Sequence, residues 1–134
     1  MSEIQRVQSI VIPILREALP GVKVGSWVED IDFRVFPMLN VRRLGGARDR
    51  KRPTEFSKPI IELTAYGIEG LPETEILYDK ALVALYQAKS TQKLTPGGYI
   101  HSIIETMGAT QFSSPFQDSW RIQGLIQLGI RPPK

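Results

Sequence analysis

Apolar residues at three- and four-residue spacing open the chain. Ile4, Val7, Val11, Ile14, Leu15 and Ala18 recur on one side, while Glu3, Arg6, Gln8 and Glu17 fall elsewhere. That period predicts an amphipathic helix from about Glu3 to Leu19, with Ser2 as its N-cap and Pro20-Gly21 as its stop. Pro13 lies inside the pattern. It lacks an N–H and disfavours helical geometry at Ile12, so a kink or a break is expected there.

The period then changes to two. Val22, Val24, Ser26 and Val28 alternate with Lys23, Gly25, Trp27 and Glu29, predicting a strand from Val22 to about Ile31 that leaves through a short Asp30-Ile31-Asp32 turn. A second strand, Phe36 to Leu44, puts Leu39 and Val41 on one face and Met38, Asn40 and Arg42 on the other. A third, Ile60 to Tyr66, sets Ile61, Leu63 and Ala65 against Ile60, Glu62, Thr64 and Tyr66. β-branched and aromatic residues support extended structure in each. Gly45 to Lys58 separates the second strand from the third by fourteen residues, a length that suggests a functional or disordered arm.

Helical spacing returns from about Glu73 to Ala88. Pro72 suits a first-turn position, Glu73 and Glu75 complement the positive end of the dipole, and Lys89 sits at the other end. Leu77, Ala81, Ala84, Leu85 and Ala88 form one stripe, widened by Tyr78 and Leu82. Val83 and Tyr86 carry the apolar surface further round, making them candidates for a second protein contact. After a Thr95-Pro96-Gly97-Gly98 turn, Tyr99 to about Phe112 alternates Ile100, Ser102, Ile104 and Thr106 against His101, Ile103, Glu105 and Met107, with a bulge or bend at Gly108. In the last strand Trp120, Ile122, Ile126, Leu128 and Ile130 share a face opposite Arg121, Gln123, Gln127 and Arg131. The order is α-β-β-β-α-β-β. It predicts an α+β fold with two helices on one face of a largely antiparallel sheet.

Composition narrows what such a fold can be. The 134 residues suggest one domain, residues 1–134, and a 42% apolar content is enough for its core. The absence of cysteine excludes disulfides, thiolate zinc sites and cysteine nucleophiles. Ile10-Val11-Ile12 is far short of the ~20 residues that span a bilayer, and Met1 to Arg6 lacks the pattern of a secretion signal. A soluble chain of intracellular type, with no membrane partner, is expected.

The net charge is +3, unevenly distributed. Arg42, Arg43, Arg48, Arg50, Lys51 and Arg52 are opposed only by Asp49 between positions 42 and 52, a local balance of +5, so the remainder carries −2. This segment with Phe56 is the candidate binding arm. Three readings fit its residues: a solvated hairpin tip, a flexible arm that orders on a protein partner, and a phosphate-binding arm. Single-strand recognition usually adds stacking aromatics, and here only Phe56 is close by.

Catalytic residue patterns are sparse. His101 is the sole histidine, so neither a spare general base nor a histidine pair for metal exists. Its place in a strand favours a structural or surface role. Glu29, Asp30 and Asp32 lack the spacing of a calcium loop and suit solvated turn carboxylates. Gly21 to Ser26 has glycines but no phosphate-binding lysine or following helix, and Gly45-Gly46 is followed by charge rather than a helix N-terminus. No catalytic, cofactor-binding or metal-binding residue is assigned, and no enzyme activity is expected.

The order of elements and several strings resemble a known family. They are the N-terminal amphipathic helix; Pro37-Met38-Leu39-Asn40-Val41 followed by Gly45-Gly46 and a basic arm; Ile61-Glu62-Leu63-Thr64-Ala65-Tyr66-Gly67; the second helix; Gly97-Gly98-Tyr99-Ile100; and Trp120-Arg121-Ile122-Gln123-Gly124-Leu125. Over essentially its whole length the chain is similar to tail terminator (tail completion) proteins of long, non-contractile-tailed bacteriophages, actinobacteriophage type. The resemblance implies a structural virion subunit, assembled in the host cytoplasm, that closes into a homohexameric ring at the head-proximal end of the tail. Its implied partners are further copies of itself, the tail tube protein and a head-side connector or stopper, with genomic DNA passing through unbound. Alternatives are another phage neck or head-tail connector ring protein, a minor tail protein of similar fold, or a small nucleic-acid-binding module using the arm.

Overall fold

The computed structural model describes residues 6–26 and 35–133. Seven elements follow in the predicted order: α1 (Gln8–Ala18), β1 (Lys23–Gly25), β2 (Met38–Arg48), β3 (Ser57–Gly67), α2 (Leu71–Thr91), β4 (Tyr99–Phe112) and β5 (Trp120–Arg131). The strands form one sheet in the order β1-β2-β3-β5-β4, antiparallel except for the β1–β2 pair. Both helices cover the same face, α2 over β3, β5 and β4, and α1 over β1, β2 and α2.

Alternation along the strands explains the core. Leu39 and Val41 of β2, Ile61, Leu63 and Ala65 of β3, and Ile122, Ile126, Leu128 and Ile130 of β5 all point at the helices and are buried. Ile10, Val11, Ile14 and Leu15 of α1 and Leu77, Tyr78, Ala81 and Leu85 of α2 close over them. A smaller cluster on the opposite face joins Met38, Tyr66 and Phe116, with the Phe116 ring 5.1 Å from Tyr66 and 5.8 Å from Phe36. α2 runs three residues beyond Ala88 before it stops. Gln92 adopts a left-handed conformation after α2, and the Lys93 N–H donates to the Ala88 carbonyl at 3.0 Å, satisfying a carbonyl of the last turn.

Four expectations are corrected. α1 continues through Pro13 without the break that was one of the two expected outcomes. Proline there forgoes only the bond to Ser9, and its ring lies on the exposed side, where the helix needs no packing partner. β1 spans three residues and runs parallel to β2, pairing Lys23 with Met38 and Gly25 with Asn40. A parallel pair requires a crossover of a dozen or so residues, not a short turn; the proposed turn at Asp30–Asp32, like Trp27, Val28, Glu29 and Ser2, lies outside the described residues.

The separation between β2 and β3 is also shorter than fourteen residues. Gly46 pairs with Pro59, Ala47 with Lys58 and Arg48 with Ser57, so only Asp49 to Phe56 connects the strands. The strict alternation expected in β4 fails at three register shifts. Ile100 is fully buried whereas Ile104 is 58% exposed, because each extra residue turns the following side chains to the other face. The shift between Met107 and Thr110 places one irregularity at Gly108, where a bend is predicted.

Candidate functional site

The basic segment forms the outer half of the β2–β3 hairpin. From Arg42 to Arg48 every residue is exposed, since β2 runs past the helices that cover its first half. A register shift between Arg43 and Gly46 divides the two halves. Gly45 and Gly46 both have positive φ there (+81° and +91°), and a Cβ at Gly46 would fall 2.6 Å from the Pro59 Cα. Glycine at 46 is therefore a requirement of the close strand approach.

The hairpin divides its cations into two groups. Arg42 pairs with Glu62 at 3.0 Å on the helix-free face, and Arg43 donates to the carbonyls of Gly45 and Gly46, bracing the bulge. At the tip, the Asp49 carboxylate accepts from the backbone N–H groups of Lys51 and Arg52 at 3.1 and 2.9 Å, folding the turn. The side chains of Arg50 and Lys51 are exposed, and Arg52 makes only a 3.9 Å ion pair with the equally exposed Glu55. Screening by water makes such a pair worth little. The tip is thus a structured display of positive charge. Phe56 is used internally: its ring meets the His101 ring edge-on at 5.6 Å and has the Arg131 guanidinium over it at 5.2 Å.

The outer face of α2 carries the second predicted surface and more. Val83 and Tyr86 are 43% and 40% exposed, and Ile76, seven residues before Val83, is 55% exposed. Spacings of seven and three put the three side chains in one line along the helix. Beside Ile76 a cleft of about 680 Å³ opens between α2 and the far half of β4, floored by Tyr78 and Ile122 and rimmed by Glu75, Asp79 and Glu105. Among the described residues none of these three carboxylates has an ion-pair or hydrogen-bond partner. Beneath them the Tyr78 hydroxyl is buried without a partner. Burial, with Glu105 and then Tyr86 adding negative charge, pushes its pKa up to about 12.

Sequence reasoning missed this acidic cleft. Glu75 and Asp79 are four apart on the helix, a visible signal, but Glu105 joins them only because the shift between Ile100 and Ser102 turns it toward α2.

Comparison with known proteins supplies the family. A family model described as "Phage tail termination protein" matches residues 3–134. The chain belongs to the phage tail termination protein family. It is 57% identical to the "Gene 22 protein" of Mycobacterium phage D29 and 56% identical to that of Mycobacterium phage L5, each over 136 residues covering 100% of this chain and 98% of the relative. Its fold is shared with a chain of the structure "Virion of native gene transfer agent (GTA) particle", at a TM-score of 0.53 and 12% identity, over 93% of this chain and 94% of that one. As a tail termination family member the protein is a structural component of the phage tail and virion, associating with other tail components. That role makes the hairpin, the α2 line and the acidic cleft candidates for contacts with them.

Proposed function

We propose that this protein forms a homohexameric ring on the head-proximal end of a long, non-contractile tail tube, where it ends tube polymerisation and offers the docking surface for a head-side connector or stopper. The whole chain acts as one domain, with the hairpin as its projecting arm. The family match over residues 3–134 carries this reading. The surfaces support it physically. A closed ring requires two different, mutually complementary patches on each subunit, and here a cationic hairpin and an acidic, partly apolar helix face lie on separate parts of one sheet. Phe56, the one aromatic beside the arm, is engaged by His101 and Arg131, which favours protein contacts over base stacking. Genomic DNA then passes through the ring without specific binding.

Adding purified protein to polymerising tube protein tests the reading. We expect elongation to stop and electron micrographs to show a sixfold ring at one tube end. Unchanged tube growth, with the protein monomeric throughout, would refute it.

A further inference from the structure

We propose that the basic β2–β3 hairpin tip of one copy seats in the acidic α2–β4 cleft of the next, so that Arg50, Lys51 and Arg52 meet Glu75, Asp79 and Glu105. This rests on the ring reading and adds to it the surface that joins neighbours.

Charge complementarity selects the occupant. The tip presents three cations with little local neutralisation, and the cleft presents three carboxylates with none among the described residues. Two other charged pairs are already matched, Arg42 by Glu62 and Glu17 by Lys93 at 2.6 Å. Ile76, Pro72 and Leu82 give the cleft an apolar wall, against which the methylene stems of arginine and lysine pack while their heads reach the carboxylates.

Topology separates the two patches within one copy. The hairpin leaves the sheet beyond the Ser57–Ile130 pair, whereas the cleft runs from Glu105, at the level of Ile61 and Ile126, to Ile122, which pairs with Ala65. Four to eight residues of extended chain separate these levels, ~13–26 Å at ~3.3 Å per residue. The hairpin also lies on the β1–β2 side of the sheet, and the cleft lies at the opposite edge strand, β4. Contact between these patches joins two copies through two different surfaces; made head to tail, its repetition generates a ring when the rotation closes.

Reversing charge on each side gives a test in the full-length protein. Sedimentation velocity, alone and with tail tubes present, is applied to Arg50→Glu/Arg52→Glu and to Glu75→Lys/Asp79→Lys. Each variant is expected to assemble at least ~10-fold more weakly than wild type, the scale of losing close interfacial charge pairs. An equimolar mixture of the two should recover assembly, because each supplies the complement the other needs. Circular dichroism checks folding, and Glu75→Gln/Asp79→Asn, which adds no positive charge, should weaken assembly to a smaller degree. Wild-type assembly with unaffected cleft variants, or no recovery on mixing folded variants, overturns the pairing while leaving the ring. A wild type that never assembles removes both.

Discussion

Tyr78 shows how a single side chain is fixed by what surrounds it. Its residue is 2% exposed, its hydroxyl has no partner, and Gly124 opposite leaves the space its ring occupies, since a Cβ there would collide with the hydroxyl. An unsatisfied buried hydroxyl costs stability, so Tyr78→Phe should be neutral or stabilising by ~1 kcal/mol. Urea unfolding measures it. The same substitution should also alter behaviour at high pH. Tyrosine in the unfolded chain titrates near its ordinary value of about 10, and in the fold it titrates at about 12. Below the lower value both states are protonated. Between the two the unfolded state binds fewer protons, so stability falls as pH rises. Wild type should therefore lose stability from pH 10 to 12 faster than Tyr78→Phe, and parallel curves would contradict that account.

At the scale of elements, strand faces and helix stripes were legible because burial enforces period. Leu39 and Val41, and Ile61, Leu63 and Ala65, share a face in each strand as their alternation predicts, and that face is the core side, since a slip by one residue would move each of them into water. Where burial relaxes, period ceases to inform. The outer half of β2 and most of β4 beyond Ile104 are exposed on both faces, so neither the true length of the hairpin nor the β4 shifts could be inferred from alternation. The acidic cleft depends on the shift between Ile100 and Ser102, which no glycine of β4 marks. In the hairpin, Gly46 is a point where local geometry can be tested. Gly46→Ala places a methyl against the backbone of Lys58 to Ile60 at a positive φ, and should cost ~1–3 kcal/mol. Gly45→Ala meets open space and should cost ~1 kcal/mol or less, from its positive φ alone. Faster amide exchange at Ala47 and Arg48 in the first variant, relative to the second, would locate the damage in the hairpin.

For the whole molecule, the expected arm is a short turn on a paired ribbon. Its cations were evident from composition, but the carboxylates that complement them come from α2 and β4, far apart in the chain. Only the fold brings those together. Because Arg50, Lys51 and Arg52 are exposed at the tip, trypsin should cleave there in the free protein and markedly more slowly in assembled tails. Equal cleavage rates would mean that the tip meets nothing on assembly.

The three register shifts in β4 have a consequence for growth. A long, regular rim strand is a template on which foreign strands can stack without limit, and irregular spacing of its free amides and carbonyls spoils that template. Copies at high concentration are thereby steered away from fibre-like stacking and toward contacts made by side chains, whose number is finite. A member of a family that terminates tails has a sheet whose own lateral extension is discouraged.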